Sequence, residues 1–329
     1  MLCQFSVRNY KSIRDKITLD MRFTAISEQE CQLIRESDGA QYLPFLVLYG
    51  PNGSGKSNVL NAVQALANRI IRPVRAAENC LITSVAPPII SIKPFAFDAR
   101  SINAPTEFEI CFRTQTAGYR YILHIQNNII LFGNLDQIKL STAEKQKTSL
   151  LRRENGRVVM KNNFAKLKVG DNLSDSLPVL SYLGIVYRKN GTVSDVIGWF
   201  KNQLQFANYG ESILGLENLE KNRRFVLKIL QEMELGIDDF RIEKEGKTVK
   251  EIYTKHTVDG RGVELRIRDE SSGVQKLFAL TPHIIDSLLE GNVLLVDEMD
   301  ANIYPSLLRR TARRRLKSWQ KTRRETLRW

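Results

Sequence analysis

No apolar run in this chain approaches the roughly 20 residues of a membrane span. The opening stretch MLCQFSVRNYKSI carries no apolar signal-peptide core. Both absences set the expectation of a cytoplasmic protein with no membrane partner. Cysteine is sparse: Cys3, Cys31, Cys80 and Cys111 are scattered without metal-ligand spacing, which speaks against a disulfide framework and reads as reduced thiols. There is no long heptad run, so a coiled-coil arm of tens of nanometres is disfavoured. No nuclease constellation is visible, so cutting chemistry would belong to a protein encoded elsewhere.

An acidic excess is also missing, but the basic excess is local. The net charge is +13 over 329 residues. Ten Lys/Arg and one acid fall between Arg309 and Trp329, a net +9, which leaves +4 for the other 308 residues. The basic signal therefore belongs to the tail. That tail, with Trp319 and Trp329, reads either as a grip for phosphate backbones or an acidic partner, or as an unstructured extension.

What is present begins with Phe45–Asn61, FLVLYGPNGSGKSNVLN. An apolar, strand-like run leads into a glycine-rich turn and then a helix-like stretch. The spacing Gly50-x-x-x-x-Gly55-Lys56-Ser57 is a complete P-loop. Gly50, Gly53 and Gly55 let the backbone turn tightly, so that successive N–H groups of Asn52 to Asn58, Ser54 included, can point at phosphate oxygens. The helix adds its positive dipole end. Lys56 would reach the β- and γ-phosphates, and the Ser57 hydroxyl would ligate Mg²⁺. ATP and Mg²⁺ are the cofactors this pattern implies.

Along the rest of the chain, residues 1–22 read as two short strands around a turn. Arg8, Tyr10 and Arg14 in that hairpin are either surface residues or a platform near the adenine or ribose. The P-loop helix is expected over about 57–72, then a loop and a strand, PPIISIKPF, over 73–92. Alternation at Phe108, Ile110, Phe112, Tyr119, Tyr121, Leu123, Ile125, Ile129 and Leu131 predicts an antiparallel meander, with turns at Thr116–Gly118 and Gln126–Asn128. Residues 141–176 are polar and predict an exposed, mobile insertion. Helical spacing returns in Val193–Phe206 and Leu216–Leu235. Trp199, Phe200 and Phe206 read as core or as a binding face. Strands follow over 240–269, with turns at Gly246 and Asp259-Gly260.

Two later stretches complete the site. Val293–Asp300, VLLVDEMD, reads as a buried parallel strand ending in two carboxylates, the Walker B pattern. Asp297 would hold Mg²⁺ and Glu298 would act as general base toward the attacking water. Glu270-Ser271-Ser272-Gly273-Val274-Gln275 opens a helix-like run, where Ser271, Ser272 and Gly273 form an anion nest or a plain N-cap.

With these motifs the chain resembles the ABC-type, AAA-like ATPases related to RecF, OLD and SMC heads. More narrowly, it is similar to the ATPases of abortive-infection, Septu and retron-associated anti-phage systems. The stretches FSVRNYKSI, LYGPNGSGKSNVL, FEICF…YRYILHI, ELGIDDFRIE, ESSGVQKLFAL and LLVDEMDANIYPSLLR carry the likeness, over roughly residues 1–308. The resemblance implies an α/β P-loop head. Its parts are a mixed, largely parallel core sheet, an antiparallel β-subdomain and an α/β lid. In domain terms these would be residues 1–140, a lid at 141–265, the signature and Walker B part at 266–308, and a basic tail at 309–329.

The resemblance further implies a head-to-tail homodimer, in which Ser271–Gly273 of one copy closes on the γ-phosphate held by the other. Asp300 would be a residue communicating across that dimer. Tyr304 stands where many relatives have His. The three histidines, His124, His256 and His283, all precede Asp297, so the switch histidine and the last sheet strands are expected to be missing, as in a truncated C-terminus. Three functions remain open: an ATP-driven switch gating a nuclease or toxin in phage defence, a RecF-like DNA-repair ATPase that binds nucleic acid, and a nucleotide-binding scaffold with little turnover. A P-loop kinase and an ABC transporter subunit fit less well.

Overall fold

The structure is a computed structural model that describes residues 1–23, 33–36, 38–79, 91–138, 147–170, 172–207, 219, 220, 222–232, 235–246 and 248–298. Cys31, Cys80, Asp300, Tyr304, Pro305 and the basic tail lie outside the described residues. The chain divides into two compact units, Met1–Leu204 and Gln205–Trp329. Among the described residues no helix is long and apolar enough to cross a membrane.

The first unit is built on seven antiparallel strands. They are β1 (Leu2–Arg8), β2 (Ile17–Asp20), β5 (Thr106–Arg113), β6 (Gly118–Gln126), β7 (Ile129–Ile138), β8 (Lys147–Glu154) and β9 (Arg157–Met160), in the order β2-β1-β5-β6-β7-β8-β9. A small pair, β3 (Ile34–Arg35) with β4 (Gln41–Tyr42), stands beside it as a separate sheet.

Alternation decides the faces. Phe108, Ile110 and Phe112 of β5 and Tyr119, Tyr121, Leu123 and Ile125 of β6 are buried. The intervening positions carry a charge ladder: Lys16 bonds Glu109 at 3.0 Å, and Arg120 bonds Glu109 at 2.7 Å. The β6–β7 turn falls on Asn127 and Asn128 with φ +50° and +64°, the left-handed pair that a two-residue hairpin needs.

Helix α1 (Lys56–Asn79) buries Val59, Val63, Leu66, Ile70 and Val74 at helical spacing. It packs against β1 and against α3 (Val179–Val186). It runs seven residues past the expected end, through Pro73. Burial of Ile71 and Val74 on either side of the proline offsets the backbone bond the ring removes. The remaining helices are the single turn α2 (Ala99–Ile102) and α4 (Gly191–Gly198).

Three expectations are corrected in this unit. The run Phe45–Tyr49 is not in any sheet, and Val47 and Tyr49 are exposed, so no parallel strand leads into the P-loop. Residues 147–160 are not a detached insertion but the last two strands of the large sheet, so the expected boundary at 140 runs through it. The helix expected over Val193–Phe206 ends at Gly198, continues as a π-helical turn Trp199–Gln203, and becomes strand β10 (Leu204–Ala207). That wider turn sends both Trp199 and Phe200 inward; each is buried, which settles them as core.

In the second unit β11 (Asp239–Glu245), β12 (Thr248–Val258) and β13 (Arg261–Arg266) form the expected antiparallel meander, turning at Gly246 and at Asp259-Gly260, all with positive φ. Helix α5 (Arg223–Glu232) precedes it and α6 (Ser272–Glu290) follows. Helix α6 is apolar on two sides because it is packed on two sides. Phe278 and Ile285 join Val226, Leu230 and Phe240 in one cluster. Leu280 and Ile284 join Ala207 in another, against Leu294 and Val296 of β14 (Val293–Val296). β14 pairs with β10 in a two-stranded sheet and is half-buried, not fully covered as expected. The strand pairs of the seven-stranded sheet, of β3–β4 and of β11–β13 are antiparallel. The fold is mixed α/β with a large antiparallel sheet.

Candidate functional site

In the first unit the glycine-rich loop forms a compact crown at the start of α1. Gly53 and Gly55 have φ of +80° and +92°, a region where a side chain is strained. Ser54 N donates to Pro51 O at 3.2 Å, and Val59 N donates to Gly55 O at 3.1 Å as α1 begins. Lys56, the first helical residue, bends back across the loop. Its Nζ donates to Gly50 O at 2.7 Å and to Pro51 O at 2.9 Å. Two of its three N–H donors are thus spent closing the crown. Lys56 opens α1, at the helix's positive end. A Cβ on Gly50 would come within 3.1 Å of Ser54 Oγ, so the crown is already closely packed at that corner. Asn52, Gly53 and Ser54 are exposed, and Ser57 and Asn58 are half-buried.

The N-terminal hairpin buttresses this crown. Asn58 Nδ2 donates to Ser12 Oγ at 2.6 Å, and a Cβ on Gly55 would lie 3.1 Å from the same oxygen. Tyr10 is buried; its hydroxyl donates to Asn61 O at 3.3 Å, and its ring meets Phe108 edge-on. Tyr10 is therefore a strut under α1 and not an adenine platform. Arg8 and Arg14 are paired with Glu107 and Asp98.

Sequence reasoning missed Asn9. It is buried, with φ +55°. Its Nδ2 donates to Ser101 O at 2.8 Å and Ala104 O at 3.0 Å, its Oδ1 accepts from Phe95 N at 2.9 Å, and its carbonyl accepts from Thr106 Oγ1 at 2.6 Å. The signal was there in the asparagine before Tyr10-Lys11, since asparagine tolerates the left-handed region. Asn9→Ala is expected to cost about 1–3 kcal/mol in urea unfolding, because buried partners are left unpaired. Loosening the Ser12 buttress should weaken nucleotide binding in the same variant.

The other two motifs lie in the second unit. Ser271 caps α6: its Oγ accepts from Val274 N at 3.3 Å, and its carbonyl accepts from Gln275 N at 3.0 Å. Ser272 and Gly273 open the helix with their amides toward its positive end. Gln275 Nε2 reaches back to Glu270 O at 2.7 Å and Arg268 O at 3.1 Å, which fixes the loop. At the end of β14, Asp297 Oδ1 accepts from Glu298 N at 2.9 Å. Glu298 is exposed and holds φ +49°, an uncommon value for a residue with a side chain. Lys276 Nζ donates to Glu298 O at 2.7 Å, so one lysine on α6 ties the signature helix to the acidic turn. Lys276 is the second residue the sequence reading did not single out.

Among the described residues no group of three or more His, Cys, Asp or Glu side chains is arranged to hold a metal. The Ser57 hydroxyl and the Asp297 carboxylate are oxygen donors of the kind Mg²⁺ takes, and they belong to different units of the chain.

The family described as "AAA domain, putative AbiEii toxin, Type IV TA system" matches residues 45–318. The chain belongs to this family. Membership makes it an AAA-type, ABC-like P-loop ATPase domain protein, and the matched span takes in the P-loop, the signature stretch and the acidic pair. No curated protein matches the chain. The crown of Gly50–Ser57, which Lys56 closes, falls within the matched span.

Proposed function

We propose that this chain is an ATP-dependent switch subunit of a bacterial anti-phage system of the abortive-infection kind, gating a partner effector such as a nuclease or toxin. The observation that carries the nucleotide half is the Lys56 ammonium bridging Gly50 O and Pro51 O at the mouth of an N-terminal helix. The family description, with its Type IV toxin–antitoxin assignment, supports the defence half.

In this reading Lys56 and the loop amides would orient the β- and γ-phosphates, and Ser57 and Asp297 would each supply an oxygen to Mg²⁺, which would neutralise phosphate charge. Glu298 takes the proton as water attacks the γ-phosphorus and the bond to the β-phosphate oxygen breaks. Ser271–Gly273 of a second copy cover the γ-phosphate in a head-to-tail dimer. Contacts made only in that closed form are what let ATP shift the population.

The test starts with binding. Lys56→Ala removes the loop's closing charge and is expected to weaken ATP about 10- to 150-fold, the value of one charge-assisted hydrogen bond. A fluorescent-nucleotide titration reads it directly. Unchanged affinity would overturn the reading. Sedimentation of the full chain with and without ATP·Mg²⁺ then tests the dimer.

A further inference from the structure

Beneath the signature loop lies a polar cluster that neither the P-loop nor the acidic turn accounts for. Glu270, the residue just before the Ser271 cap, turns its carboxylate inward; its side chain is only 8% exposed. There Oε1 meets His256 Nε2 at 2.6 Å and the hydroxyl of Thr254, a fully buried residue on the same strand β12. The other ring nitrogen, His256 Nδ1, faces Gly236 O at 2.8 Å. A carbonyl accepts only, so Nδ1 must donate. Nε2 then faces a carboxylate, and that contact needs a proton as well, on the ring or on Glu270. The pair is held together by one proton more than a neutral imidazole and an ionised carboxylate would carry.

We propose that His256 is a positioning residue of the signature loop: with Thr254 it grips Glu270 through this shared proton, and so fixes the Ser271–Gly273 end of α6 for contact with nucleotide. The inference rests on the reading of that loop as half of a composite ATP site. Without the His256 ring the buried Glu270 carboxylate would lose its partner on β12, and the loop its anchor there.

Other charges lie nearby on the meander and the turn after it. Lys255 stands opposite Asp239 and Glu264 in the strand registers, on the other face of the meander from His256. Val263 lies directly across from His256 on β13, with Arg261 at the tip. Arg268 in the turn before Glu270 pairs with Glu251 at 2.7 Å. Asp238, exposed, follows at the Gly236 end.

Two substitutions separate this from a plain packing role. His256→Ala removes the grip. Glu270→Gln can restore complementarity without the extra proton, because an amide nitrogen in the place of Oε1 donates one N–H to the neutral ring and the other to Thr254 Oγ1, whose own hydroxyl still donates to Leu265 O. Hydrogen exchange of the full chain without nucleotide, corrected for intrinsic rates, follows the amides of Glu270–Gln275. His256→Ala is expected to lose about tenfold or more of the wild type's protection there, and Glu270→Gln should keep most of it. A His256→Ala loop as protected as the wild type, or a Glu270→Gln loop as loose as His256→Ala, would overturn the proposal.

In a second arm, His256→Ala should raise the ATP concentration needed for self-association about tenfold while leaving nucleotide affinity at the P-loop unchanged. If the wild type does not self-associate with ATP, the composite-site reading fails, and the exchange experiment still decides whether His256 holds the loop.

Discussion

Glu298→Gln is expected to lower steady-state ATP turnover by about 10²- to 10⁴-fold, the usual worth of a general base, while nucleotide affinity stays near that of the wild type. The substitution is chosen for what it leaves alone. Glu298 holds φ +49°, and its turn is pinned from two sides, by Asp297 Oδ1 on its N–H and by Lys276 Nζ on its carbonyl. Glutamine has the same size and the same backbone preference, so the strain and both pins survive. Only the ability to accept a proton is lost. Phosphate release measured beside Lys56→Ala separates the roles: Lys56→Ala should fail at binding and Glu298→Gln at chemistry. Turnover unaffected by Glu298→Gln would remove this residue from the reaction and leave the chain a binder whose proton acceptor lies elsewhere.

How much of this was legible from the sequence depends on how local the physics is. The P-loop could be read because phosphate binding needs glycines, a lysine and a hydroxyl at fixed spacing in one contiguous turn; Gly53 and Gly55 take positive φ in that turn. The β5–β6–β7 meander could be read because one face is apolar and the other charged, so alternation survives in the sequence.

β8 could not be read that way. Leu150 and Leu151 are both buried across an irregularity in register, and Arg153 also points inward, bonded to Asp175 at 2.6 Å and Leu177 O at 3.0 Å. A strand whose inner face includes a buried arginine looks polar in sequence. The opposite error occurred at Phe45–Tyr49. Its residues favour strands, but β-propensity expresses fit to neighbouring strands, and this segment is in none of the sheets. The π-helical turn at 199–203 was invisible for a third reason: helical spacing of apolar residues continues through it, and only the packing shows that the backbone widens there. The His256–Glu270 contact joins residues 14 positions apart through a hairpin, which no spacing rule anticipates.

Trp199→Ala is expected to destabilise the first unit by about 3–5 kcal/mol, the range for truncating a buried large aromatic side chain. Trp199 is fully buried on that widened turn. Its ring stacks on Phe112 of β5 with centroids 4.2 Å apart and meets Phe200 edge-on at 5.0 Å. The neighbourhood has little room to collapse into the void. A Cβ on Gly184 of α3 would already lie 2.9 Å from Ile197 and 3.1 Å from Val74 of α1, so the helices over this face are in close contact.

One observation bounds the cost from the other side. The indole Nε1 of Trp199 is buried with no hydrogen-bond partner among the described residues. Leaving such a donor unpaired costs about 1–3 kcal/mol. Trp199→Phe removes that orphan along with part of the volume, so it should cost far less than alanine, under about 1.5 kcal/mol. The two variants compared in urea unfolding distinguish an aromatic needed for its bulk from one needed for its N–H. A phenylalanine variant as unstable as the alanine would mean that Nε1 does find a partner, a bound water being the first candidate. Because α1 carries Lys56 at one end and Val74 against Gly184 at the other, a loosened aromatic cluster should also reduce nucleotide affinity in the alanine variant, and leave it intact in the phenylalanine one.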